Sequence, residues 1–200
     1  MTLCPVPPLA HILFAAALLL PLGLAPARAD DAAKKVETQK ITVDAGGVEV
    51  HRGIEGLPAK VVATRQKLLD AGYSGDLAEL KKVMQQNELP PAVSVNDVGD
   101  AIEFLKGQSG DGEGLEMLAI LTDVLEAGWT RVDAGKPGEM YVWPYFTQKQ
   151  MDTLTPKEKV ELFKIITSGD YEEMKSEDKY TFFSVGIGPD GTWHYFRLNN

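Results

Sequence analysis

Residues 12–24, ILFAAALLLPLGL, decide what the rest of this chain has to fold with. APARA follows, with small residues at Ala27 and Ala29, and then Asp30-Asp31. A leader, an apolar middle and a small-x-small site, in that order, read as a secretory signal peptide over residues 1–29. The apolar run is too short to span a bilayer, which takes about 20 such residues. No later stretch approaches that length. The n-region departs from the usual pattern: it has no Lys or Arg, and only His11 can carry positive charge. An uncleaved anchor or a buried helix are the competing readings, and neither accounts for a short apolar run that ends in APARADD. Cys4 is the only cysteine and leaves with the leader. The processed chain is therefore expected to work outside the cytoplasm, with no stable membrane span, no disulfide and no thiolate chemistry. Apolar burial alone must hold it, and residues 30–200 suffice for one core.

Acidic residues number 29 against 20 basic ones, and the formal charge is −9. Losing Arg28 with the leader deepens it to −10. An acidic chain without a basic patch repels phosphate backbones, so nucleic acid is not an expected partner.

Residues 30–57 read as a polar lead-in followed by a β-hairpin, with Ile41 and Val43 alternating on one side of Gly46-Gly47 and Val48 and Val50 on the other. An extended arm without a partner is the alternative. From Pro58 the apolar period becomes helical. Val61, Leu68 and Leu69 mark a first helix, stopped at Ala71-Gly72. Leu77, Leu80 and Met84 mark a second, capped by Asp76. Val98, Ile102 and Leu105 mark a third, capped by Asn96 or Asp97. GQSGDGEG at residues 107–114 reads as the most open loop. A fourth helix carries Leu118, Leu121 and Leu125 and ends at Ala127-Gly128.

The C-terminal third mixes strand and helix. WTRV and MYVWPYF read as a hairpin. Thr155-Pro156-Lys157-Glu158 combines an N-cap, Pro at N1 and Glu at N3. The helix it opens is expected to bury Val160, Phe163 and Ile166, to close at Ser168-Gly169, and to be followed by a short helical turn capped by Asp170. YTFFSVGIG and TWHYFRL flank Pro189-Asp190-Gly191, a turn by composition. The expectation is an α+β fold, an N-terminal helical layer packed with a small antiparallel sheet and one further helix. Residues 58–200 form its single domain.

GEMYVWPYF at residues 138–146, TLTPKEKVELFKIITSGDYEEM at 153–174 and VGIGPDGTWHYF at 185–196 resemble segments of an uncharacterised family of secreted proteins of Gram-negative bacteria. The resemblance covers roughly residues 60–200. It implies a periplasmic location and carries no catalytic residue and no cofactor.

Chemistry-bearing motifs are sparse. There is no HxH or HExxH, so no metal site is expected. There is no GxSxG. Asp111-Gly112-Glu113-Gly114 lacks the EF-hand spacing and reads as a solvated loop. Glu139, Asp152, Asp170, Glu172 and Glu173 offer carboxylate pairs for glycan hydrolysis, at separations the sequence does not specify. His51 reads as solvent-facing. His194 should share a strand face with Phe196 and Leu198, opposite Trp193 and Tyr195. Tyr141, Trp143, Tyr145, Trp193 and His194 are the candidate ligand-binding residues, for an envelope glycan, peptide or protein partner. The other reading of these aromatics, and the first to consider, is the core of a small sheet closed by a helix. A binding or structural module of the envelope is the expected function, and a hydrolase acting on an envelope glycan or peptide is the alternative.

Overall fold

The computed structural model describes residues 42–43 and 47–199. The signal peptide expected at residues 1–29, the polar lead-in expected at 30–40 and Ile41 of the expected hairpin lie outside the described residues. The elements, in chain order, are β1 (Thr42–Val43), β2 (Glu49–Val50), α1 (Ala59–Ser74), α2 (Leu77–Met84), α3 (Ala101–Gln108), α4 (Leu115–Glu126), β3 (Thr130–Val132), β4 (Met140–Trp143), α5 (Pro156–Leu162), α6 (Ser168–Glu177), β5 (Phe183–Ile187) and β6 (Trp193–Leu198), with 3-10 turns at Tyr145–Gln148 and Met151–Thr153. The class is α+β. Helices α1–α4 precede a small antiparallel sheet in the order β3-β4-β5-β6. Two α-helices, α5 and α6, stand where the sequence suggested one helix and a turn.

Local signals explain most element starts. Asp76 accepts from the Ala78 N–H at 2.7 Å and caps α2. Asp100, rather than Asn96 or Asp97, caps α3 through the N–H groups of Ile102 and Glu103. Thr155 and Glu158 form a reciprocal capping box at α5. Thr167 and Asp170 form a second one at α6, so Ser168-Gly169 open a helix rather than close one. Caps of this kind stabilise by about 1 kcal/mol each. The expected stop of α1 at Ala71-Gly72 falls inside the helix, which runs to Ser74 and ends at Gly75 with φ +67°. Gly72 serves a different purpose, since a Cβ there would overlap the Thr122 side chain on α4. Its bare backbone is what lets α1 and α4 pack closely.

The apolar faces of α1 and α4 supply Leu68, Leu118, Leu121 and Leu125 to one core cluster, which the sheet completes with Trp143, Val185, Ile187, Trp193 and Phe196. A second cluster gathers Tyr145, Phe146, Met151, Leu162, Ile166, Tyr171, Met174 and Tyr180. Ile165 and Phe182 pack against both. On α5 the expected buried stripe is corrected. Val160 is 66% exposed and Phe163 44%, while Leu162 and Ile166 are buried. The core-facing side of α5 is set by Leu162, with Ile166 four residues on just beyond the helix end, and Val160 lies on the side away from it.

Simple strand alternation fails in β6. Ile187 pairs with Trp193 but Gly186 pairs with Tyr195, so His194 is the extra residue of a bulge. Trp193 and Phe196 both face the core, and His194 is exposed. The sheet is protected at both edges. His51 exchanges backbone hydrogen bonds of 2.9 and 2.8 Å with Trp129, extending the β1-β2 hairpin onto the β3 side. At the other edge Ala92 bonds to the backbone of His194 and Phe196. No described helix is long and apolar enough to cross a membrane.

Candidate functional site

Four of the five residues singled out in the sequence are core. Tyr141 is 4% exposed, Trp143 and Tyr145 are 0%, and Trp193 is 1%. Tyr141, Trp143 and Trp193 belong to the first cluster and Tyr145 to the second. They present no surface to a ligand, which is the packing alternative already open in the sequence. The reason is that both faces of this small sheet are covered, β5 being buried along its whole length. His194 is the exception, exposed on the bulge beside the Asp190 turn. His51, by contrast, is not solvent-facing. Its ring stacks on Trp129 at 4.1 Å and 10°.

That stack positions a charged site the sequence did not suggest. Trp129 Nε1 donates to the Gly53 carbonyl at 3.0 Å. Together with the His51–Trp129 backbone pair, this fixes Arg52 and Gly53 against the C-terminal end of α4. Arg52 Nη2 then donates to Glu161 Oε2 on α5 at 2.6 Å. The Tyr145 hydroxyl reaches the same oxygen at 3.3 Å. Glu161 Oε1 accepts from the Gly128 N–H at 3.1 Å. Gly128 has to lack a side chain, because a Cβ would stand 2.8 Å from the Tyr145 ring and 3.0 Å from the His51 carbonyl. One carboxylate thus ties the β2 arm, the end of α4, the 3-10 turn and α5 together.

The electrostatics follow from this geometry. Burial opposes the charge on Arg52, but the hydrogen bond to Glu161 and its charge outweigh that and raise the pKa. Burial, then the charges of Glu161 and Glu158, push the Tyr145 phenol far above its usual range. Tyr145 stays a neutral donor at any physiological pH. Its ring lies 5.5 Å from the Arg52 guanidinium and 5.8 Å from Lys149 Nζ. Lys149 in turn pairs with Glu158, both of them nearly buried.

Beside this bridge runs a groove of about 450 Å³, between the last turn of α4 and the outer face of α5. Asp123, Glu126 and Ala127 form one wall; Lys157, Val160, Glu161 and Lys164 form the other, with Arg52 and Gly53 at one end. Partial burial, and then the neighbouring Glu126, raise the Asp123 pKa. Glu126 accepts a hydrogen bond from the Tyr73 hydroxyl. Among the described residues Asp123, Lys157 and Lys164 have no ion-pair partner. One signal for this site was legible: Lys157, Val160 and Glu161 recur at i, i+3 and i+4, which puts them on one face of α5, and Lys164 follows in the turn after it. Nothing in the sequence pointed to Arg52 or Asp123.

Three of the carboxylates considered in the sequence serve the fold. Glu139 pairs with Arg131 at 2.7 Å. Asp170 belongs to the α6 capping box. Asp111 accepts from the N–H groups of Glu113, Gly114 and Glu116, so its oxygens are already occupied. Among the described residues no three His, Cys, Asp or Glu side chains converge as metal ligands would. No protein-family model matches the chain, and neither the curated proteins nor the solved structures contain a match.

Proposed function

We propose that this chain is an exported protein of the bacterial envelope that binds a small ligand in the α4–α5 groove and catalyses no reaction on it. The signal-peptide pattern of residues 1–29 and the resemblance of residues 138–196 to secreted proteins support the location. The observation that carries the binding reading is the groove itself. Its volume of about 450 Å³ falls in the range of small-molecule sites, and its charged walls are held on a fixed frame by the four-way contact at Glu161.

A hydrolase needs a free carboxylate acid or base within reach of the reacting bond. Asp123 lines the groove without an ion-pair partner among the described residues, but a two-carboxylate mechanism needs a second free group. Glu126 accepts from Tyr73, and Glu161 has both oxygens engaged, one by Gly128 and the other by Arg52 and Tyr145. Among the described residues His194 has no buried carboxylate partner. Binding therefore ranks above catalysis.

The test is amide chemical-shift mapping of the full chain, purified from the expressing host, against a soluble digest of envelope glycan and peptide. Saturable shifts at Lys157, Val160 and Lys164 support the groove. An absence of saturable shifts there overturns it, and the appearance of new products in the digest overturns the non-catalytic reading.

A further inference from the structure

We infer that the occupant of the groove is a zwitterion: an amino acid or short peptide carrying both a free ammonium and a free carboxylate. The inference rests on the groove being a ligand site, and it names the chemistry that such a site would select.

The two walls carry opposite charge. On the α4 side, Asp123 and Glu126 sit in the last turn of a 12-residue helix that has no basic residue in that turn. Backbone carbonyls at a helix C-terminus already make that end negative, so carboxylates there are disfavoured and a cation is welcome. Arg65 approaches this end but directs Nε and Nη2 to the Leu125 carbonyl. Asp123 itself is left with no ion-pair partner among the described residues. It stands beside Glu126, and partial shielding from solvent and then that neighbour penalise its charge. An ammonium in the groove would face Asp123 with the opposite charge and offset the repulsion from Glu126.

On the α5 side, Lys157 and Lys164 flank Val160 and have no ion-pair partner among the described residues. Arg52 stands at the same end as Glu161. Of the five donors of its guanidinium fork, the structure engages one nitrogen, Nη2, with Glu161. Arg52 lines the groove together with the two lysines. Glu161 does not cancel these cations, because its charge is met by Arg52, the Tyr145 hydroxyl and the Gly128 N–H. The basic wall is unusual on a chain of formal charge −9. A purely anionic ligand would meet Asp123 and Glu126, and a purely cationic one would meet Lys157 and Lys164. A ligand with both charges, bridged by a short apolar body over Val160, opposes neither wall.

The experiment titrates the full chain with dialanine, N-acetyl-dialanine and dialanine amide, followed by calorimetry and by amide shifts. Dialanine should bind saturably at the groove. Blocking either terminus should weaken binding by about tenfold, the effect of one charge contact worth about 1.4 kcal/mol. Asp123→Asn should weaken dialanine but change N-acetyl-dialanine little. The Lys157→Ala, Lys164→Ala double variant should weaken dialanine but change the amide little. These three side chains are exposed, and unchanged melting temperatures confirm that the variants remain folded. Equal affinity for dialanine and its N-acetyl form would overturn the inference in favour of an anion site. Equal affinity for dialanine and its amide would overturn it in favour of a cation site. If dialanine fails to bind while envelope fragments still shift the groove amides, the zwitterion falls and the groove reading stands. If neither binds, both fall.

Discussion

Arg52 Nη2 lies 2.6 Å from Glu161 Oε2, a contact between residues 109 positions apart in the chain. It joins the segment that follows the β2 strand to the helix that forms one wall of the groove. The pair is only partly shielded, with the Arg52 side chain 32% exposed and Glu161 17%. Its value lies less in the ion pair than in what else the carboxylate holds. The Gly128 N–H and the Tyr145 hydroxyl would both lose an acceptor with it.

Glu161→Ala is therefore expected to destabilise the fold by about 1–3 kcal/mol, below the loss for a fully buried pair because solvent screens Arg52. Arg52→Ala should cost less, since it leaves the Gly128 and Tyr145 contacts in place. Urea denaturation of both single variants and the double variant measures the coupling. A Glu161→Ala cost no larger than that of Arg52→Ala would mean that the carboxylate does not bridge four segments.

Gly186 lies at the centre of the sheet with no positive φ to explain it. A Cβ there would overlap both the Tyr195 ring and the Met140 sulfur. Gly186→Ala should destabilise by about 1–3 kcal/mol through overpacking. At Gly75, φ is +67° and nothing stands within 4 Å of a Cβ, so the penalty of Gly75→Ala is backbone strain alone, about 1 kcal/mol. Thermal denaturation should rank the two in that order.

The difference between these glycines also marks what the sequence could disclose. Local chemistry was legible: Asp76, the Thr155–Glu158 box and the Pro189-Asp190-Gly191 turn each act within a few residues. So was the α+β class, because helical and alternating apolar periods are separated along the chain. The bulge at His194 was not legible, since alternation assumes an unbroken ladder and one inserted residue reverses every side chain beyond it. Ala71-Gly72 and Ala127-Gly128 read alike as helix stops but lead into different surroundings. After Gly72, Tyr73 is exposed, whereas after Gly128, Trp129 is buried beneath His51. The groove was the least legible, because its walls meet only through contacts between remote segments such as Arg52 and Glu161.

Asp111 gives a pH prediction. Desolvation acts to raise its pKa, but hydrogen bonds from the amides of Glu116, Glu113 and Gly114 outweigh it and hold the carboxyl at about 2, against the ordinary 3.8. The unfolded chain then takes up the proton first as pH falls. The stabilisation is fully present above about pH 4 and is lost as pH drops through about 2. Asp111→Asn should lower the melting temperature at pH 7, and the gap from the unsubstituted chain should close as pH falls from 4 to 2. A gap that stays constant across this range would contradict the assignment.

Export gives a prediction independent of the groove. Expressed in a Gram-negative host, the full chain should be recovered from the envelope fraction with a mass that begins near Asp30. It should also carry no reactive thiol, since Cys4 is removed with the leader. Recovery of a chain that still begins at Met1 would overturn the export reading.

The three tryptophans make the last prediction, because they are equally buried and differ in one respect. Trp129 Nε1 donates to the Gly53 carbonyl at 3.0 Å, and Trp193 Nε1 donates to the Tyr195 carbonyl at 2.9 Å. Trp143 Nε1 is buried without an acceptor among the described residues. Replacing any of them with Phe removes similar volume from the core. At Trp129 and Trp193 the change also breaks a hydrogen bond, which costs about 0.5–1.5 kcal/mol. At Trp143 it removes a donor that was already unsatisfied, so the change recovers part of the packing loss. Trp143→Phe should therefore be the mildest of the three, by about 1 kcal/mol or more in urea denaturation. Trp129→Phe should be the most damaging, since it also weakens the stack with His51 that holds Arg52 in place. If Trp143→Phe proved as costly as Trp193→Phe, the Trp143 indole would have to be hydrogen-bonded in solution, and the packing of β4 against the helical layer would differ from the arrangement described.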